Sequence, residues 1–421
     1  MNRLPCHQPY NTMVFFSATN DISWCCKMQP TTIDPTTDDW FYNNRYLNSV
    51  RSTLQAGHFP DACHRCAIAE KNNQKSWRHL EGQVPQKYAD GYSQERKSVF
   101  QRIEFYFDNT CDCACLYCGA GLSSKWQQEY KNVDEQIFKE IAPFFKVDEL
   151  YKTEEKNIIK LLDYLVYLGK ELPKHETMVD FAFLGGEPFL SPQIKNGEFQ
   201  KFVEAFYTHA PADFRMVLSF VTNCNNPDKV WERNWKTLET LRNKYNIGLN
   251  IALSLESIGK VTEYVRYGSD WNTVDKNIDK WLSKDWTQVH FNNAYNAFAI
   301  ETLPEFVEYM VNKGKQHNRQ IEVSPNVVYD PIELSPMVLP KTFDKYFDKA
   351  IDLVYQNKQH FVDSNYNGYS ALIKTFQELK DKLGTHTDKK DKMNTFVQYS
   401  KKYRNLELNT VAPKVAKYLN E

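Results

Sequence analysis

The sequence has almost no net charge: 52 Lys and Arg stand against 53 Asp and Glu, leaving −1 over 421 residues. Without an excess of one sign there is no bulk basic field to attract nucleic acid, although a local basic groove stays open. No apolar run approaches the roughly 18 to 20 residues of a membrane span, so no membrane segment is expected. The opening stretch, MNRLPCHQPYNTMVFF, has no sustained apolar core leading to a small-residue cleavage site. A secretory leader is therefore not expected, and the chain reads as cytoplasmic. Internal repeats and low-complexity segments are missing too. Beyond residue 118 cysteine all but disappears, with Cys224 the one exception.

What is present is an ordinary globular composition, 42% hydrophobic and 25% charged, with length enough for one large domain and an appendage. Nine of the ten cysteines lie in the first 118 residues. A disulfide framework belongs to small exported chains, so this crowding points to metal or cluster sites. The cysteines fall into two groups. One comprises Cys6, the Cys25/Cys26 pair, and Cys63-His-Arg-Cys66; the other is the run NTCDCACLYCGA at 109–120.

Strand-like runs alternate with helical patterns through the middle of the chain, which is the signature of βα units around a parallel sheet. Strands are expected at Ile103–Phe107, Val179–Leu184, Met216–Thr222, Leu249–Leu255, His290–Asn293 and Ile321–Val328. Between them, 154–172 keeps helical spacing at Ile158, Leu161, Leu162 and Leu165. Six strands are too few for a closed eight-fold barrel. The expected fold is α/β: a partial (β/α)6 TIM-type barrel of parallel strands over 99–335, with function at the carboxyl ends of the strands. A cysteine-rich cluster-binding module over 1–98 precedes it, and a helical extension over 336–421, read as packing, follows. The residues at successive strand ends are the cysteine run, Gly185-Gly186-Glu187-Pro188, Thr222-Asn223, and Glu256-Ser257.

Three thiolates spaced C-x3-C-x2-C can hold three irons of a 4Fe-4S cube and leave the fourth iron open to an exchangeable ligand. Cys111, Cys115 and Cys118 have that spacing, with aromatic Tyr117 before the last. On these residues the chain resembles the radical S-adenosylmethionine (radical SAM) superfamily, over about 99 to 335. The resemblance implies that S-adenosylmethionine chelates the open iron and is cleaved reductively to a 5′-deoxyadenosyl radical, which abstracts hydrogen from a substrate. It further implies roles in holding S-adenosylmethionine for Gly185, Gly186, Glu187 and Pro188, which match the family's GGEP element, and for Thr222 and Asn223. Ser254 and Arg266 match the pair that holds the ligand's carboxylate and ribose. Each residue suits its task, since glycine lets backbone approach a ligand, a carboxylate accepts from an ammonium, and an arginine fork matches a carboxylate. Cys113 and Cys224 stay open between packing, second-layer and redox roles.

The amino-terminal group resembles the auxiliary-cluster module of SPASM and twitch-type radical SAM proteins: a Cys, a CC dipeptide, a Trp-led helix, then C-x2-C and a Glu. The segment Ser123-Ser124-x-Trp126 matches the same subgroup. The implied ligands of a second 4Fe-4S cluster are Cys6, Cys25, Cys63 and Cys66, with Cys26 as the alternative to Cys25. Zinc is the rival occupant, because His58 and His64 lie close by and a C-x2-C pair suits tetrahedral zinc equally. Proteins with this module often act on peptides or proteins, and an electron donor such as flavodoxin or ferredoxin is implied. A small molecule, nucleotide or sugar is the alternative substrate, and a metal-stabilised binding protein without catalysis is the alternative of another kind.

Overall fold

The computed structural model describes residues 6, 8–16, 21–25, 27–32, 44–71, 76, 78, 100–133, 155–363 and 367–421. Cys26 lies outside the described residues. The strands are β1 (Thr12–Phe16), β2 (Asp21–Ser23), β3 (Thr31–Thr32), β4 (Arg102–Tyr106), β5 (Ala114–Cys115), β6 (Met178–Leu184), β7 (Arg215–Thr222), β8 (Ile247–Ser254), β9 (Arg266–Tyr267), β10 (Thr287–Tyr295) and β11 (Glu322–Val327). Nine of them form one sheet in the order β11-β10-β8-β7-β6-β4-β1-β2-β3, and β5 pairs separately with β9.

From β11 to β1 every neighbouring pair in the sheet is parallel. The six expected strands are all there, in chain order, with helices in the connections, as the partial-barrel reading requires. Two features go beyond that reading. The amino-terminal stretch contributes a further parallel strand, β1, beside β4, and the short antiparallel strands β2 and β3 continue the sheet outward. The fifth strand runs from Thr287 to Tyr295, longer than the expected 290–293, because its polar residues Gln288, His290 and Asn292 alternate with buried ones and mask the apolar pattern.

That alternation divides the sheet into two faces, since successive side chains in a strand point to opposite sides. On the helix-covered face, Phe105, Phe183 and Phe220 sit in register on β4, β6 and β7. Their rings stack at centroid distances of 5.1 and 4.9 Å, and Phe189 and Trp281 continue the stack at 4.7 and 5.5 Å. Ring pairs of this geometry add about 1 kcal/mol each beyond their burial. The other face carries polar side chains joined across strands. Arg102 pairs with Glu104 and Asp180, Ser219 donates to Asp180 at 2.8 Å, Asn250 to Ser219 at 3.4 Å, and His290 meets Asn250 at 3.2 Å. These side chains satisfy one another across the strands, so this face is polar without leaving unpaired charge.

The carboxy-terminal helices Asp344–Gln356, Tyr369–Lys382, Lys390–Arg404 and Pro413–Asn420 follow the last strand. The third of these reaches the cysteine loop. Arg404, its side chain fully buried, donates to Glu129 at 2.9 and 3.0 Å, and the Tyr399 hydroxyl donates to the same carboxylate at 2.6 Å. The Arg404 guanidinium also lies 4.4 Å from the ring centre of Trp126. Trp126 in turn donates its indole N–H to the Cys115 carbonyl at 2.7 Å. Among the described residues no helix is long and apolar enough to cross a membrane.

Candidate functional site

The cysteine run leaves the end of β4 and would be an unsupported loop but for what lies behind it. Ser124 accepts from the Cys111 N–H at 3.1 Å and donates to the Cys111 carbonyl at 3.2 Å; Ser123 donates to the Cys113 carbonyl at 2.6 Å; Trp126 takes the Cys115 carbonyl. The Ser-Ser-x-Trp segment thus satisfies the backbone of alternate residues in the loop, which fixes the path of the thiols without occupying them. Ser123 also caps the helix Ser124–Tyr130 by accepting from Trp126 N–H.

Two strand ends and one short ladder tie onto the same loop. The Glu187 N–H donates to the Thr110 carbonyl at 2.7 Å. Gly185 and Gly186 have φ of 82° and 53°, and a Cβ on Gly186 would stand 2.3 Å from that Thr110 carbonyl oxygen. Only glycine permits this approach. Gly186→Ala is expected to cost about 2 kcal/mol or more, read as a fall in the denaturation midpoint, because backbone rather than a movable side chain lies in the way.

At the end of β7, Asn223 donates from its side chain to Asp112 at 2.7 Å and to the Cys113 sulfur at 3.3 Å, while Asn225 donates to the other Asp112 oxygen at 2.8 Å. Cys224, between them, is buried and adopts φ of 61°, uncommon for a residue with a Cβ. The third tie is the β5–β9 ladder, which sets Cys115 opposite Arg266.

Glu187 is 1% exposed. Its carboxylate accepts from the Asn223 N–H at 2.7 Å, Thr222 Oγ1 at 2.9 Å, and the Asn226 amide and Phe189 N–H at 3.3 Å each. Burial pushes its pKa up to about 7, and the hydrogen bonds from Asn223, Thr222 and Asn226 oppose the rise. Glu187 therefore serves two roles at once, capping the turn Pro188–Leu190 and holding a carboxylate at the junction of β6 and β7.

Arg266 is buried and forks onto Glu256, Nε to Oε1 at 3.2 Å and Nη2 to Oε2 at 2.6 Å, and Tyr117 donates its hydroxyl to Glu256 at 2.9 Å. The remaining guanidinium nitrogen, Nη1, approaches the Cys115 sulfur at 4.0 Å. Ser254 ends β8 half-buried and, among the described residues, makes no side-chain hydrogen bond.

Burial raises the pKa of all four thiols of the run, that of Cys118 to about 12; neighbouring cysteines raise Cys111, Cys113 and Cys118 further, whereas Arg266 opposes the rise at Cys115. Such thiols are neutral until something cationic compensates the thiolate, as iron does. All four thiols of the run lie close enough to feel one another's charge: Cys111 and Cys118 each feel Cys115, and Cys113 feels both Cys111 and Cys115. Their softness, burial and converging loop fit a thiolate-held iron–sulfur cluster.

The second cysteine group also converges. Cys6, Cys25, Cys63 and Cys66 line one pocket together with Pro9, Lys27, Met28, Leu54, Phe59 and Arg78. The lining includes neither His58 nor His64. Cys25 accepts from the Lys27 N–H at 3.4 Å, and burial, with Cys6 and Cys66 nearby, pushes Cys63 up to about 12. Among the described residues no three His, Cys, Asp or Glu side chains are close enough to hold one metal ion. A cube sets each thiolate on a different iron, so it needs its cysteines around a common pocket and not at one point.

Sequence reasoning passed over Asp112, Asn225 and the pairing of Glu256. Glu256 had a signal, its place two residues past the fourth strand, whereas Asp112 lies between two cysteines and had none. Glu129 and Arg404 are 275 residues apart and become neighbours only through the carboxy-terminal fold.

No family model and no curated protein matches the chain. Among solved structures, one described as "Native anSMEcpe with bound AdoMet" is similar at a TM-score of 0.41 and 16% identity, covering 61% of this chain and 60% of that one. Another, "Native anSMEcpe with bound AdoMet and Cp18Cys peptide", is similar at 0.39 and 14%, covering 61% and 59%. The similarity thus spans less than two thirds of those proteins' own length, and likeness at this level assigns no ligand or substrate to this chain.

Proposed function

We propose that this chain is a radical SAM enzyme that binds S-adenosylmethionine at a 4Fe-4S cluster held by Cys111, Cys115 and Cys118 and abstracts hydrogen from a peptide or protein substrate. The observation that carries the reading is the attachment of one cysteine loop to the ends of β6 and β7 through Glu187–Thr110 and Asn223–Asp112, and to β9 through the Cys115–Arg266 ladder. A structural metal loop has no need of a buried carboxylate beside one strand end and a buried arginine paired with the loop itself.

When bound, the open cluster supplies the electron that cleaves S-adenosylmethionine. The chain's own residues do the binding and orienting. Glu187, with the close backbone of Gly185 and Gly186 leading into Pro188, would accept from the ligand's amino group. Thr222 and Asn223 hold Glu187 in place. Glu256 and Tyr117 fix the Arg266 plane, so that its Nη1 edge is the one turned toward Cys115 and toward a bound carboxylate, with Ser254 as the ribose contact. The polar wall from Asp180 to His290 faces the substrate.

Cys6, Cys25, Cys63 and Cys66 are proposed as ligands of a second 4Fe-4S cluster, and a small electron-transfer protein such as flavodoxin or ferredoxin as the reductant. Anaerobic reconstitution is expected to load about eight irons per chain, and dithionite with S-adenosylmethionine is then expected to release 5′-deoxyadenosine. A chain that loads fully and releases none sinks the proposal.

A further inference from the structure

The pocket shared by Cys6, Cys25, Cys63 and Cys66 has two cationic residues in its lining, Lys27 and Arg78. They differ in kind. Lys27 is exposed, and its contact with Cys25 is made by the backbone. Arg78 is buried, its side chain 7% exposed, so water screens its charge little.

Its position is built and not accidental. Nε donates to Glu70 Oε1 and Nη2 to Oε2, both at 2.5 Å. The guanidinium also lies 4.7 Å from the ring centre of Phe59, another residue of the pocket wall. Ser76 donates to Glu70 at 2.6 Å. Glu70 sits one helical turn beyond Cys66 on the helix His64–Lys71, so the carboxylate that fixes Arg78 is carried by the element that carries a cysteine. The sequence pattern of C-x2-C followed by a Glu thereby acquires a physical content: the Glu anchors a cation at the pocket.

We infer that Arg78, held by Glu70, is a positioning residue that raises the reduction potential of the cluster bound by Cys6, Cys25, Cys63 and Cys66. The inference rests on the auxiliary-cluster reading above. Reduction adds one negative charge to a cluster, and a fixed cation beside it stabilises the reduced form; net charge and burial are the main protein levers on such potentials. Glu70 opposes the effect with its own charge, so the two residues pull the potential in opposite directions.

The test uses the full chain with Cys111, Cys115 and Cys118 replaced by Ala, leaving the amino-terminal site as the sole cluster. Iron counting comes first, and fewer than about four irons per chain defeats the auxiliary-cluster reading itself. With the cluster present, dithionite titration followed by electron paramagnetic resonance gives its midpoint potential. Arg78→Gln is expected to shift the midpoint to more negative values; Glu70→Gln, whose side-chain oxygen still accepts from Arg78 over the Phe59 ring while the negative charge is gone, is expected to shift it to more positive values, while Arg78→Lys stays nearer the parent and Lys27→Gln moves it least. Glu70→Gln keeps the inference testable where Arg78→Gln fails to retain iron. Unchanged midpoints in both, or shifts of the same sign, overturn it.

Discussion

Replacing Cys111, Cys115 or Cys118 by Ala is expected to abolish 5′-deoxyadenosine release, while Cys113→Ala is expected to keep a measurable fraction of it. Each of the first three substitutions removes one of only three protein ligands, and a cube held by two thiolates is not retained. Loss of about four of eight irons should accompany loss of release. Cys113 differs from the other three in spacing, because including it gives C-x-C-x-C, tight for thiolates that must diverge to different irons. The residue is 1% exposed, and its sulfur accepts from the Asn223 amide at 3.3 Å, the same amide that reaches the Cys111 sulfur at 3.9 Å. Removing it leaves a small void and an Asn223 amide that still has Asp112. A modest loss of stability, about 1 kcal/mol, suits a truncation of that size. If Cys113→Ala instead loses four irons and all release while one of the other three keeps both, the ligand set includes Cys113 in its place.

The fold was legible where one physical signal dominated. Met216, Leu218 and Phe220 alternate with polar or smaller residues, and Ile247, Leu249, Ile251 and Leu253 do the same, because one face of each strand meets helices and the other a polar wall. That alternation also gave the order of the strand ends, and with it the grouping of the cysteine run, Gly185–Pro188 and Thr222-Asn223. The strand β1 was hidden. Its five residues Thr12–Phe16 are buried or nearly so on both faces, which leaves no alternation to read, and its partner β4 follows it by about 90 residues. The grip on the cysteine loop was hidden for a different reason. Asp112, Asn225 and Arg404 are polar residues that look solvated in a linear sequence and become partners, Arg404 fully buried and the other two half-buried, only after β7 and the helix Lys390–Arg404 close around one loop. Periodicity reports burial along one element, and it says nothing about pairs brought together by several.

Glu187→Gln is expected to weaken S-adenosylmethionine binding by tenfold or more while leaving the ligand-free protein equally or more stable above neutral pH. The two halves have one cause. Burial raises the Glu187 pKa from 4.5 to about 7. The unfolded chain ionises this group near 4.5, so between about pH 4.5 and 7 the unfolded state releases a proton that the folded state keeps, and stability falls as pH rises through that window. The penalty amounts to about 3 kcal/mol once pH exceeds the folded value. Below 4.5 both states are protonated and the penalty is absent. Gln carries no such penalty, although its amide can accept at only one of the two oxygen positions now served by Asn223 and Thr222, which offsets part of the gain. Binding runs the other way. An amino group that gives its lone pair to iron still donates N–H, and an ionised carboxylate accepts it more strongly than a neutral one, so affinity for S-adenosylmethionine in the parent should rise as pH passes upward through about 7, and that dependence should vanish in Glu187→Gln. Equilibrium binding across pH 6 to 8.5, paired with urea denaturation of the ligand-free chain, reads both effects. A parent whose affinity is flat across that range would show that Glu187 is not the amino group's partner, and the accepting carboxylate would then have to be Asp112, which Asn223 and Asn225 already hold with two hydrogen bonds.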